Sequence, residues 1–117
     1  MSTATVVEEE KRITLAEYLA LEEKSPSRHE YHAGAIYDMA GGSPAHAQIS
    51  FNVAVGIGKR LQGKRCRGAS GDQRIRIEAA DTEVYPDAVV VCPPARYAET
   101  DPHALTNPAL IVEVLSP

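Results

Sequence analysis

Apolar positions along this chain switch between helical and strand-like spacing, and each switch predicts a new element. After Thr14 they recur as on a helix face, and Thr14-Leu15-Ala16-Glu17 supplies the start. The Thr14 hydroxyl can cap the helix while the Glu17 carboxylate reaches back, and Ile13 and Tyr18 stand in staple positions. The helix is predicted to run to about Lys24 and stop before Ser25-Pro26-Ser27, since the residue ahead of a proline disfavours helix. Residues 29–32 and 35–39 read as short strands joined by a tight turn at Ala33-Gly34. Ser43-Pro44 then opens a second helix, serine as cap and proline at the first helical position. His46, Ile49, Val53, Ile57 and Leu61 make one stripe along it; Gly56 and Gly58 weaken it or allow close packing, and Gly63 ends it.

Beyond that helix, Arg74-Ile75-Arg76-Ile77-Glu78 alternates, as a strand with one wet face does. Residues 80–82 read as a turn, 84–92 as a strand ended by Pro93-Pro94, and 95–108 as a loop with room for one helical turn. Leu110-Ile111-Val112-Glu113-Val114-Leu115 reads as a final, buried strand. Interleaved helices and strands predict an α/β or α+β fold with one mixed sheet flanked by helices. Whether 95–108 crosses over or closes a hairpin is open at this level. Residues 1–12 are polar, carry Glu8-Glu9-Glu10, and read as a flexible arm ahead of a single domain over 13–117.

The chain has 117 residues, 44% hydrophobic and 24% charged, which suits one soluble globular domain. No apolar stretch approaches the roughly 20 residues of a membrane helix, and the polar N-terminus has no signal-peptide core, so a cytoplasmic location is expected. In that compartment Cys66 and Cys92, which match no zinc spacing, are expected to stay reduced in or near the core. The net charge of −4 argues against a uniformly basic DNA-binding surface. A local patch can still supply phosphate contacts. Lys59, Arg60, Lys64, Arg65 and Arg67, with Arg74 and Arg76 beyond, form such a cluster; a solvated helix end is the plainer explanation.

Two acids change the picture. Asp87 follows Pro86 at the head of Ala88-Val89-Val90-Val91, and Glu113 sits inside the last apolar run. A carboxylate in such a strand loses hydration and needs a cation, a donor or a proton. If the strands are neighbours, the two converge, and the economical partner is a divalent ion of the Mg²⁺ or Mn²⁺ kind, which prefers oxygen and keeps several waters. Taken singly, Asp87 also reads as a strand-start acid, and Glu113 as a partner for a buried arginine such as Arg74 or Arg76.

Pro86-Asp87 followed by Glu113 in an apolar strand resembles the PD-(D/E)XK nucleases of the restriction-endonuclease-like fold. Closer still is one branch, a restriction-endonuclease family long held as a domain of unknown function. Four ordered blocks carry that resemblance over residues 14–117: Arg28-His29-Glu30-Tyr31 before Gly34; Met39 before Gly41-Gly42-Ser43-Pro44-Ala45-His46; Tyr85-Pro86-Asp87; and Asn107-Pro108 before Ile111-Val112-Glu113-Val114-Leu115-Ser116-Pro117. The resemblance implies a metal-dependent DNA endonuclease, with Asp87 and Glu113 as metal ligands, Glu30 at the edge of the site and His46 orienting water or contacting phosphate. Lys59, Arg60, Lys64, Arg65 and Arg74 are the expected nucleic-acid contacts. Where the superfamily has a lysine two residues after the acid, this chain has Leu115; the branch carries its lysine further downstream, past Pro117. The chain therefore resembles a C-terminally truncated member with weak or absent cleavage and an exposed sheet edge that invites a homodimer. The competing expectation is a non-catalytic remnant that binds nucleic acid or a partner around a vestigial site.

Overall fold

The computed structural model describes residues 4–6, 12–39 and 41–115; the remainder of the expected arm lies outside the described residues. Helix α1 spans Leu15–Lys24 and is capped as its sequence requires: the Glu17 N–H donates to Thr14 Oγ1 at 3.1 Å, and the Thr14 N–H donates to Glu17 Oε1 at 2.8 Å. It ends at Ser25 ahead of Pro26. Strands β1 (Ala4–Val6), β2 (His29–His32) and β3 (Ala35–Met39) follow as antiparallel neighbours, β3 in the middle. The β2–β3 turn puts both Ala33 and Gly34 at positive φ, the twist a two-residue hairpin needs. Helix α2 spans Pro44–Leu61, its cap formed by Ser43 Oγ accepting from the His46 N–H, with Gly63 at φ +74 just beyond its end.

The six-stranded mixed sheet has the order β1-β3-β2-β6-β5-β8, with β5 at Arg74–Ile77, β6 at Thr82–Val84 and β8 at Ala104–Leu105. A second, antiparallel sheet has β4 (Arg67–Ser70), β7 (Ala88–Val91) and β9 (Leu110–Val112) in the order β4-β7-β9. Helix α1 covers one face of the larger sheet, where Tyr18 stacks on Tyr31 at 5.0 Å between centroids within a cluster that includes Ile13 and Ile36. On the opposite face Ile75 and Leu105, with Val84, meet Val89 and Val91 of β7. Helix α2 lies on β4 and β7, where Ile57 and Leu61 approach Gly68. The α+β fold agrees with the restriction-endonuclease-like core that the resemblance implies, with two sheets where the sequence predicted one.

Several expectations change here. The strand expected over 84–92 is two strands in different sheets, because Pro86 lacks the N–H to continue a ladder and Tyr85 turns inward. Strand β4 went unforeseen inside the basic cluster, and β8 inside the expected loop. The run after Leu110 is no buried strand: β9 stops at Val112, pairs among the described residues with β7 alone, and Leu110 is 49%, Ile111 39% and Leu115 72% exposed. Helix α2 buries no residue fully; Ile49, expected on its inward stripe, is exposed. The β4–β7 register sets Arg67 opposite Val91, so the residues one step beyond each strand end face each other, and Cys66 and Cys92 form a disulfide instead of two thiols.

Candidate functional site

Asp87 is placed by the chain crossing from the larger sheet to the smaller. Its Oδ2 accepts the Val114 N–H at 2.6 Å, tying the head of β7 to the segment after β9. The same oxygen lies 3.5 Å from His46 Nε2, and the two side chains are 19% and 15% exposed. His46 stands in the first turn of α2 because Ser43 caps there. Its ring lies against Gly42: a Cβ at that glycine would sit 2.6 Å from Nδ1, so only glycine leaves room for this imidazole. Among the described residues Asp87 Oδ1 makes no hydrogen bond.

Glu113 follows β9. Continuing the register in which Ala88 faces Val112 sets it opposite Asp87, and its peptide neighbour Val114 holds the Asp87 carboxylate. The residue is exposed while Val114 is buried. Among the described residues no three His, Cys, Asp or Glu side chains converge as metal ligands. A closed four-ligand cage is therefore not formed among the described residues, and any ion held here would take no more than two protein carboxylates and keep most of its water. Glu30 is not gathered beside Asp87 in any such group: it lies on β2 of the other sheet, its Oε1 2.9 Å from His32 Nε2.

The basic residues divide. Lys59 and Arg60 in the last turn of α2, and Lys64 and Arg65 in the turn that follows, are exposed. Arg67 on β4 is exposed and donates to the Tyr97 hydroxyl at 2.9 Å. Arg74 points inward. Its Nε and Nη2 hold both oxygens of Asp101 at 2.7 and 3.0 Å, its Nη1 donates to Tyr85 Oη at 3.0 Å, and its Nε is 3.2 Å from Glu83 Oε1. Arg76 is likewise buried, donating to Glu78 and Asp81 at 2.7 Å each. The face of β5 expected to be wet is thus the one that carries the arginines into the interior.

This interior network is what sequence reasoning missed. Glu83 on β6 is fully buried, and burial raises its pKa to about 8, aided by a hydrogen bond to Asp101 and by the charge of Asp101, against the pull of Arg74 and Arg76. Asp101 also meets the cost of burial, yet its bonds to Arg74 and Glu83 hold its pKa below the usual carboxylate value. Burial also lifts the Tyr85 hydroxyl, to about 12, while that hydroxyl donates to Glu22 Oε2 at 2.6 Å. Glu22 Oε1 lies 2.6 Å from His29 Nδ1, and His29 Nε2 lies 2.7 Å from Asp38. The available signal was alternation: Arg74 and Arg76 two apart on one strand, with Glu83 on the next.

Two curated relatives were found, both uncharacterised proteins of Synechocystis sp. (strain ATCC 27184 / PCC 6803 / Kazusa). Protein slr1290 is 37% identical over 106 residues, which is 91% of this chain and 55% of the relative. Protein sll1609 is 32% identical over 111 residues, 95% of this chain and 63% of the relative. The chain thus spans little more than half the length of these relatives. No solved structure matches it. A family model described as "Putative restriction endonuclease", Uma2, matches residues 15–117, and the chain belongs to that family.

Proposed function

We propose that this chain carries the metal-binding part of a DNA endonuclease. The observation that carries the reading is the Asp87 carboxylate held between α2 and the segment after β9, beside His46 and bonded to the peptide that follows Glu113. Asp87, through the Oδ1 that makes no hydrogen bond among the described residues, and Glu113 would hold a hydrated Mg²⁺ or Mn²⁺. Such an ion supplies a nucleophilic water and neutralises charge on a phosphodiester. The Val114 N–H fixes the Asp87 carboxylate, and the His46 imidazole stands where it can orient a water or contact a phosphate oxygen. Glu30 is assigned the edge of the site. Lys59, Arg60, Lys64 and Arg65 supply phosphate contacts for duplex DNA; Arg74, spent on Asp101, leaves that set. With Leu115 in the place of the superfamily lysine, metal binding is expected to be stronger evidence than cleavage. The reading places the protein in the cytoplasm; among the described residues no helix is long and apolar enough to cross a membrane.

The test is calorimetric titration of Mn²⁺ and Mg²⁺ into the chain and into Asp87→Asn. Binding that disappears in the variant is the expected result. Equal binding in both proteins would remove Asp87 from the site. A second reading has its own support, since no three-ligand group forms among the described residues while the basic segment is exposed. That reading is a non-catalytic nucleic-acid-binding remnant, and it predicts DNA affinity that falls with salt and ignores both metal and Asp87→Asn.

A further inference from the structure

The Cys66–Cys92 disulfide occupies a particular place in the fold. Cys92 follows β7, whose other end is preceded by Asp87; Cys66 precedes β4, an edge strand of the smaller sheet among the described residues. Between the end of α2 and β4 lies the segment with Lys64 and Arg65, and Arg67 follows Cys66 directly. Few other bonds restrain that segment. The Gln62 N–H donates to Lys59 O at 3.4 Å, the Lys64 N–H donates to Leu61 O at 2.9 Å, and the Arg67 guanidinium donates to Tyr97. Among the described residues only one side of β4 is paired. Both cysteines are half-buried, within reach of solvent. Three cations beside Cys66 attract a small anionic thiol to the bond.

We propose that Cys66–Cys92 is a redox-operated staple, opened by a small anionic thiol of the glutathione class, that fixes the basic segment 59–67 against β7. The link to DNA rests on the nuclease reading above; the staple itself does not. In the opening step a thiolate attacks one Sγ. The Sγ–Sγ bond breaks, and its electron pair leaves on the other Sγ, which takes a proton from water. A second small thiolate then attacks the small-molecule sulfur of the mixed disulfide. This releases the remaining protein thiolate, which is protonated in turn. Two electrons pass to the protein, its disulfide is reduced to two thiols, and the small thiol is oxidised to its own disulfide. Closed, the staple holds Lys64, Arg65 and Arg67 in a fixed array; open, β4 has only its ladder to β7 and its packing under α2. In a reducing compartment such a bond is transient, which is what a switch requires.

The experiment treats the folded chain with reduced or oxidised glutathione, counts free thiols by maleimide labelling, and follows hydrogen exchange. Two thiols are expected after reduction and none after oxidation. The amides of residues 64–70 should exchange roughly tenfold faster in the reduced protein, while those of α1 stay unchanged. The Cys66→Ser/Cys92→Ser protein should match the reduced chain and ignore glutathione. The proposal is overturned if no disulfide forms under oxidised glutathione, if it reduces only in denaturant, or if exchange over 64–70 is the same in both states. A fluorescent DNA duplex titrated in parallel separates the two readings. Several-fold weaker binding on reduction supports the switch. Binding in neither state, with the exchange change intact, supports the staple and overturns both its coupling to DNA and the nuclease reading.

Discussion

Glu83 shows most sharply what burial does to a single side chain here. It is fully buried, and neither carboxylate oxygen receives a protein donor in good hydrogen-bond geometry, although Arg74 Nε and Arg76 Nε stand 3.2 and 3.8 Å away. Because Asp101 takes the bidentate bond from Arg74, Glu83 is the acid that keeps its proton, with a pKa of about 8. The raised value means that the folded protein holds this proton from the ordinary carboxylate range up to about pH 8 while the unfolded chain has released it. Stability from this group therefore falls as pH rises across that window. The steepest slope is about 1.4 kcal/mol per pH unit. Asp101 acts the other way and only in acid: its lowered pKa contributes stability that is lost as pH falls through its folded value. Thermal melts between pH 5 and about pH 8 test this. The wild-type melting temperature should drop across the range, and Glu83→Gln, which mimics the protonated acid, should remove most of the drop. A variant as pH-dependent as wild type would place the proton elsewhere. Nothing in the residue types separated Glu83 from a surface acid. Its burial is a consequence of β6 lying between β2 and β5 under α1, a fact of topology that a linear pattern does not contain.

Elements with local instructions were legible. The box at Thr14 and Glu17, the paired positive-φ residues of the β2–β3 turn and the Ser43-Pro44 start each fix a boundary through nearby atoms, and the structure places those boundaries where the sequence predicts them. Elements defined by distant partners were not. β4 carries Arg67-Gly68-Ala69-Ser70, a run with little strand character that is a strand because β7 pairs with it. The same division runs through the candidate site: Asp87 and His46 were legible as types, but their meeting depends on the chain leaving β6 at Tyr85-Pro86 and entering a second sheet. That meeting makes Asp87 a tether for the chain after β9, beside the ion-ligand role proposed for it. The two roles separate on substitution. Asp87→Asn keeps an oxygen for the Val114 N–H, whereas Asp87→Ala keeps none; a hydrogen bond to a charged group contributes about 1.5–3 kcal/mol. Urea unfolding should therefore show Asp87→Asn near wild type and Asp87→Ala lower by about that amount. Two variants of equal stability would mean that the bond to Val114 contributes nothing measurable.

At the scale of the whole molecule, the smaller sheet ends unevenly. On one side β4 is edged by the basic turn and the disulfide; on the other, among the described residues, β9 has no second strand neighbour and is flanked by exposed Leu110, Ile111 and Leu115. Helix α2 packs mainly on β4 and β7. An edge with unpaired backbone groups and apolar side chains templates another strand unless charge or proline blocks it, and Leu110-Ile111-Val112 has neither. A second copy is the self-complementary partner, since two β9 strands can pair antiparallel about a two-fold axis and join two small sheets into one. We propose this edge as the contact of the homodimer expected from the sequence. Ile111→Lys places a charge on the strand without touching the bond between Asp87 and Val114. In sedimentation velocity the wild-type chain should shift toward a larger species as concentration rises. Ile111→Lys should remain a monomer with an unchanged far-ultraviolet circular dichroism spectrum. A wild-type chain that stays monomeric at every concentration would show that the open edge is tolerated alone, and a lysine variant that still dimerises would move the contact to another surface.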